Sequence, residues 1–423
     1  MQVNLDAAQR GLIASGLGLL MWATAANAEM LRLSEALRLA VTQHPSVTLR
    51  QRQRDAAAEA LDGARWGRFP ALSGQTGKDA YGKDYVTVRI EQPLWTGGRI
   101  TAEIAGADAA LRGALAGVAE SQQDIMLRAA GAYAELGRFE AGQQAARANV
   151  TEHERLHRMI LNRIENQITS SSDGLLASAR LSQARAELSQ LQAQGARARA
   201  RLGEIIGQPV GDIEPQPARQ PRPASLAEAS RAAVAFSPVL RRLSAQEDSA
   251  EAGIRIKRGQ ALPTVKLRHD QTRGGYQQGN QTYLMLEYQS GAGLASLAAI
   301  REAESRRLAL EAERASALRD VTDEVSASWS ELQAFEAQAL DLRAQVAATA
   351  QVFDSFTRQY AVGRKNWIEV LNAQRELTQA RQALADAEWS GWRTALKLQL
   401  ATGQLSADTL PATPWTDAND PTP

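Results

Sequence analysis

Two long stretches of the chain, from Pro93 to Pro209 and from Pro263 to Pro411, hold no internal proline, and their apolar residues return at three- and four-residue steps or their sums. The first row runs Ile104, Leu111, Leu115, Val118, Ile125, Ala129, Ala132, Leu136 and Phe139. The second runs Leu318, Val321, Val325, Leu332, Phe335, Ala339, Leu342, Val346, Phe353 and Tyr360. That period is the a/d seam of a coiled coil. At about 1.5 Å per residue, Ile104 to Ile164 alone would reach roughly 90 Å. No compact core accommodates such a helix, so it must lie along neighbours of similar length.

Ahead of each helical row the period falls to two. Val86, Val88 and Ile90 alternate with Thr87, Arg89 and Glu91; Val265 and Leu267 with Lys266 and Arg268; Leu284, Leu286 and Tyr288 with Tyr283, Met285 and Glu287. Gly-rich segments, Gly74 to Gly82 and Gly274 to Gly279, separate the members of each pair, which predicts two hairpins. The first strand, near Leu72 to Thr76, is the weakest in pattern. Upstream again, a helix of about ten residues is expected to stop before Pro45 or Pro238. A second helix then runs towards Pro70 or Pro263, with Ser237 as N-cap and Pro238 at the first helical position.

The same order is written twice. Leu33-Ser34-Glu35-Ala36-Leu37 is echoed by Leu226-Ala227-Glu228-Ala229-Ser230, and the offset, 226 minus 33, is 193 residues. Pro45 meets Pro238 and Pro70 meets Pro263 at that offset; further on it drifts to 196, pairing Phe139-Glu140-Ala141 with Phe335-Glu336-Ala337. A colinear series with three inserted residues is a duplication. The division expected is a first repeat over 29–207, a Pro-rich linker over 208–224, a second repeat over 225–405 and a disordered tail over 406–423. Residues 1–28 read as an export signal: an apolar run from Gly11 to Trp22 precedes Ala26-Asn27-Ala28, an A-x-A cleavage pattern.

Composition narrows the function classes. Lys+Arg is 48 against Asp+Glu 47, a net charge of +1 that gives no electrostatic reason to expect nucleic acid. There is no cysteine, which excludes disulfides, thiolate metal sites and a cysteine nucleophile. After the signal no segment has the roughly 20 apolar residues of a membrane helix, so a membrane must be met with strands. Four strands cannot close a membrane barrel, whose smallest examples have about eight. Three chains would contribute twelve and would gather the long helices into one hollow cylinder.

One motif suggests catalysis. His153-Glu154-Arg155-Leu156-His157 matches H-E-x-x-H, in which two histidines bind zinc and the glutamate acts as base. Both histidines continue the helical seam from Val150 to Ile160 and Ile164, which places them against a neighbouring helix. A third ligand is not marked, although Glu165 and Glu187 are available, and no glycine follows where the extended zinc-protease motif needs one. The expectation is no metal and no cofactor. His44 and His269 are isolated.

The residues resemble those of the TolC-like outer-membrane factors over nearly the whole chain. Glu91-Gln92-Pro93-Leu94-Trp95-Thr96-Gly97-Gly98-Arg99 is similar to that family's strand-to-helix junction. Gly363-Arg364-Lys365-Asn366-Trp367-Ile368-Glu369-Val370-Leu371-Asn372-Ala373 resembles its turn at the periplasmic tip, and Leu398 to Leu405 resembles the end of its last helix. The resemblance implies a mainly α protomer with two β-hairpins that trimerises into a 12-stranded barrel in outer-membrane lipid on a periplasmic helical tunnel. It would be the passive exit duct of a tripartite system with a periplasmic adaptor and an inner-membrane transporter of the ABC type. The second junction, Gln289-Ser290-Gly291-Ala292-Gly293-Leu294, lacks the proline and aromatic. It resembles members serving type I protein secretion, with multidrug efflux as the alternative. Also by resemblance, Tyr360 and Lys365 would contact Asp173 and Ser172 to hold the tip closed, and Glu369 would point into the pore as an acidic ring. Gln167 departs from the glycine usual in the first turn, and Asn372 from a second acidic position. The rivals are a periplasmic adaptor, which normally carries one helical hairpin, a structural coiled coil, and the zinc hydrolase.

Overall fold

The structure is a computed structural model that describes residues 30–214, 223–276, 278–288 and 295–410. The expected signal, residues 215–222 of the Pro-rich linker, the second junction and the chain after Leu410 lie outside the described residues. The first run of elements is α1 (Leu33–Gln43), α2 (Pro45–Trp66), β1 (Ala71–Lys78), β2 (Asp84–Trp95), α3 (Arg99–Glu165) and α4 (Ser171–Ile206). The second is α5 (Leu226–Phe236), α6 (Pro238–Gln260), β3 (Thr264–Gly274), β4 (Gly279–Glu287), α7 (Ala295–Ala361) and α8 (Trp367–Thr402), followed by a 3-10 turn at Ala407–Thr409. The long helices α3 and α7 have 67 residues each, and α4 and α8 have 36 each. The three extra residues of the second copy fall between Pro263 and the start of α7; the strands total 20 residues in each copy, 8 and 12 in the first and 11 and 9 in the second.

The helix starts are set locally. The Ser237 hydroxyl accepts from the Leu240 amide at 3.3 Å and Pro238 opens α6. His44 does the same for α2, its Nδ1 accepting from the Ser46 amide at 3.2 Å ahead of Pro45. Each long helix then runs beside several shorter ones: α3 along α2, α4, α6 and α8, and α7 along α5, α6 and α8. In the upper half of α3 the buried row is Ala102, Ala109 and Gly117, whereas Leu115 of the expected seam is exposed. Small residues let the axes approach: a Cβ on Gly106 would stand 3.3 Å from that of Ala252 on α6. Lower down, Ile125, Met126, Tyr133 and Leu136 enter a large apolar core with α1, α4 and Trp389.

That core also holds the start of the linker. The Tyr133 hydroxyl donates to the Leu31 carbonyl at 3.0 Å and accepts from the Glu214 amide at 3.2 Å, and Leu31 bridges Ile213 in parallel. Residues 210–214 are thus packed, because Val210 and Ile213 are apolar and join the core. Beyond α8 the chain stays packed for a few residues, with Ala407 and Leu410 against the same core.

The four strands form one antiparallel sheet in the order β1-β2-β3-β4. Gly74 and Gly77, expected in the first connection, lie inside β1 and pair with Val88 and Tyr85. The turn itself is residues 79–83, where the Asp79 carboxylate accepts from the amides of Tyr81 and Lys83, each at 2.9 Å.

Candidate functional site

Strand register assigns every side chain to one of two faces. Leu72, Ile90, His269 and Thr282 stand in one row across the sheet, and Val86, Val88, Leu267, Leu284 and Leu286 share their face. These apolar residues are exposed, Leu284 and Leu286 by 65% and 69%. The opposite face is polar and half-buried. Arg89 pairs with Asp270 at 2.9 Å, Arg268 with Glu91, and Lys266 with Glu287 at 2.8 Å, while the Tyr283 hydroxyl donates to Asp270 at 3.1 Å. A water-soluble sheet hides its apolar face; this one hides its charges. That is the arrangement of a barrel wall with lipid outside and water inside. Aromatic side chains mark both ends: exposed Trp66, Phe69, Trp95 and Tyr288 at the helix side, and Tyr81 stacked on Tyr276 at 5.2 Å at the hairpin tips. Among the described residues no helix is long and apolar enough to cross a membrane.

About 100 Å away at 1.5 Å per residue, the long helices end in two turns, 166–170 and 362–366. The turns are built alike. Gln167 and Gly363 donate to the carbonyls of Ile164 and Tyr360, and the next amides, Ile168 and Arg364, reach back to Arg163 and Gln359. This motif needs a left-handed residue. Gly363 supplies it at φ 77°, but Gln167 adopts φ 58°, the one non-glycine residue with positive φ among those described. A side chain there costs about 1 kcal/mol. Gln167→Gly is therefore expected to stabilise the protein by about that amount, read as a higher thermal midpoint; a lower one means that the glutamine side chain has a compensating contact.

The four residues that resemblance places in the gate are not brought together within one chain. Lys365, in the second tip turn, pairs with Glu369 in the first turn of α8 at 2.6 Å and lies over the Phe356 ring. Tyr360 is buried against Trp367. Asp173 accepts from the Thr169 hydroxyl at 2.5 Å, and Ser172 bonds Ser170 at 2.8 Å. Asp173, Ser172 and Lys365 are each satisfied by a partner two to four residues away, and Tyr360 by packing of its ring. Glu369 is not a free carboxylate either. Its second oxygen accepts from the Asn366 amide at 3.1 Å while its own amide bonds the Asn366 side chain, a capping box. Lys365 and the Asn366 amide together hold its pKa below the usual carboxylate range.

His153 and His157 do lie on α3 one turn apart, but His153 is buried and His157 half-buried. Glu154, the base of the motif, is ion-paired to Arg185 at 2.8 Å. Among the described residues no group of three or more histidine, aspartate or glutamate side chains is placed to hold a metal. His153 instead lines a cavity of about 360 Å³ between α3, α4 and α8, with Asn149, Arg180, Glu187, Arg375 and Thr378. Beside it the Asn149 side-chain Oδ1 accepts from Gln374 and Thr378, both at 3.0 Å. Burial, and Arg180 after it, lowers the His153 pKa against the opposing pull of Glu152 and Glu187. A neutral histidine stabilises the fold above its unfolded pKa of about 6.5, and that contribution is lost as pH falls below it towards the depressed folded value. His153→Gln is expected to flatten the fall of thermal stability between pH 7.5 and 5.5; an unchanged slope would assign the acid sensitivity elsewhere.

The comparisons agree with this geometry. The family model described as outer membrane efflux protein matches residues 36–208 and 229–404. The chain belongs to that family. It is therefore an outer-membrane transport channel with a periplasmic helical tunnel, and not an enzyme. The outer membrane efflux protein BepC of Brucella suis is 23% identical over 337 residues, covering 77% of this chain and 73% of BepC. Among solved structures, the outer membrane protein VceC of Vibrio cholerae superimposes with a TM-score of 0.77 at 19% identity, over 88% of this chain and 96% of VceC. The open state of the MtrE outer membrane channel of Neisseria gonorrhoeae gives 0.72 at 18% identity, over 88% and 89%.

Proposed function

We propose that three copies of this chain close into a 12-stranded barrel continued by a helical tunnel, forming the passive exit duct of a tripartite export system with a periplasmic adaptor and an inner-membrane transporter. The inverted sheet carries the reading: one chain offers four strands with an apolar outer face, and its edges β1 and β4 have no further partner among the described residues. In lipid such edges must be paired. The helices ask for the same partners, since only six of the 67 residues of α7 are buried within one chain and Leu308, Leu318, Leu340 and Val352 are exposed. The tip turns form the periplasmic gate. A heat-sensitive trimer on gels from the outer-membrane fraction is expected; a monomer in the soluble periplasm overturns the reading.

For cargo, the departure of Gln289 to Leu294 from the first junction favours type I protein secretion driven by an ABC transporter. The efflux name of the BepC relative favours small molecules as the second reading. Deletion in the native host separates them. Loss of a large protein from the medium with unchanged drug tolerance supports secretion, and drug hypersensitivity with an intact secretome supports efflux.

A further inference from the structure

At the tip, one side chain joins the two repeats. Arg163 lies in the last turn of α3, and its guanidinium covers the Tyr360 ring of α7 at 4.8 Å from the centroid. Its Nη1 also donates to the Ala361 carbonyl at 3.3 Å. That carbonyl is among the last four of α7, which have no partner inside the helix, and it sits at the negative end of the helix dipole. Tyr360 in turn packs against Trp367, the first residue of α8, with ring centroids 5.4 Å apart and planes tilted by 46°. Meanwhile the Arg163 backbone carbonyl accepts from the Ile168 amide at 2.8 Å, a bond that closes the first tip turn. One residue thus holds the first turn by its main chain and the second by its side chain. Its Nε is buried with no partner, which leaves the ring face and the carbonyl as its hold on the second repeat.

The duplication is asymmetric at this point. In the second repeat Gln359 stands in place of Arg163, and its side chain stays on its own helix, bonding Ser355 at 2.9 Å. The first repeat supplies the cation and the second supplies the aromatics. The geometry points to Arg163 as a latch that ties the two helical pairs of one chain together at the closed tip, with the ring face of Tyr360, not its hydroxyl, as the partner. This rests on the tip being the closed end of the channel. Any opening that swings α7 and α8 away from α3 and α4 lifts the guanidinium off the ring and strands the Ala361 carbonyl. A cation on an aromatic face is worth little in water and more where solvent is excluded, so a single latch is modest and three act together.

The test uses trimers of the full chain in planar bilayers, comparing Arg163→Gln, Arg163→Lys, Tyr360→Leu and Tyr360→Phe. Arg158→Gln, which removes an exposed charge from the same helix, is the control. Arg163→Gln and Tyr360→Leu are expected to raise the open-to-closed ratio on the order of tenfold, about 1.4 kcal/mol over the trimer. Arg163→Lys keeps the charge and should fall between it and wild type. Tyr360→Phe keeps the ring and should open the channel far less than Tyr360→Leu. Equal effects of the two Tyr360 substitutions would place the hold in the hydroxyl and overturn the latch, as would wild-type gating in Arg163→Gln. Heat-sensitive trimers on gels verify assembly of each variant, and if Arg163→Gln does not assemble, the Tyr360 pair decides alone. A wild-type trimer that passes no current refutes the channel reading itself, and the latch with it.

Discussion

Gly137→Ala should destabilise the protein by about 3 kcal/mol, the upper range for overpacking a core. A Cβ at this position would stand 2.2 Å from Cη2 of Trp389 and 2.3 Å from Cζ2. The obstacle is a ring, not the end of a flexible chain. Trp389 is buried and meets Trp392 edge-on at 5.5 Å, and Trp392 lies 5.8 Å from Tyr133. Tyr133 is fixed in turn by its hydrogen bonds to Leu31 and Glu214. Neither the ring nor α3 can give way without disturbing that chain of contacts. Trp389→Leu alone should also cost several kcal/mol by leaving a cavity. Combined with Gly137→Ala it removes the clash, so the double variant should lose clearly less than the sum of the two. Urea denaturation of detergent-solubilised protein measures all three. Additive losses would show that the core relaxes around the methyl group.

The contrast between Gly137 and Leu115 shows what the sequence could reveal. Hydrophobic periodicity located the long helices, their prolines located the breaks, and the offsets of 193 and 196 located the second copy with its three extra residues. Each of these signals comes from the size or geometry of a residue within its own segment. Close helix approach does not: at Gly106 and Gly137 the contact is made by the absence of a side chain, which a search for apolar residues passes over. The sheet was legible as alternation but not as to which face is wet, since period two is the same for a soluble sheet and a barrel wall. At the tip, resemblance supplied names of residues without their nearest partners. Lys365 stands just before the Asn366 N-cap of α8 and Glu369 in its first turn, so the capping box brings the two together ahead of any distant contact. Arg163 gave no signal, because a cation in the last turn of a helix reads as a solvated end that suits the dipole. Gln167 did give one, as a departure from glycine, and its positive φ is the physical content of that departure.

The pairing of Lys365 with Glu369 changes the permeation expected of the pore. A bare ring of three carboxylates would favour cations and be blocked by divalent ions. A ring in which each carboxylate carries its own ammonium at 2.6 Å is close to neutral. Wild-type channels are therefore expected to discriminate weakly between cations and anions, and Lys365→Ser should convert them to marked cation preference with block by millimolar divalent ions. Glu369→Ala should do the reverse, leaving three unpaired ammonium groups that favour anions. Asn372 bonds Arg375 at 3.4 Å and lines the cavity beside His153. A carboxylate introduced by Asn372→Asp would find that guanidinium first and add little to selectivity. The pH dependence follows from the same contacts. With its pKa held down by Lys365 and the Asn366 amide, Glu369 stays ionised below the usual carboxylate range. Its contribution to the start of α8 is present above the unfolded carboxylate pKa and is lost only as pH falls through the depressed folded value. In Lys365→Ser the largest cause of the depression is gone, so block should fade at a higher pH than that at which wild-type Glu369 titrates. Reversal potentials across a salt gradient, taken from neutral pH downwards, measure both effects. If Lys365→Ser leaves the reversal potential where it was, Glu369 faces away from the ions and the constriction is lined by other residues.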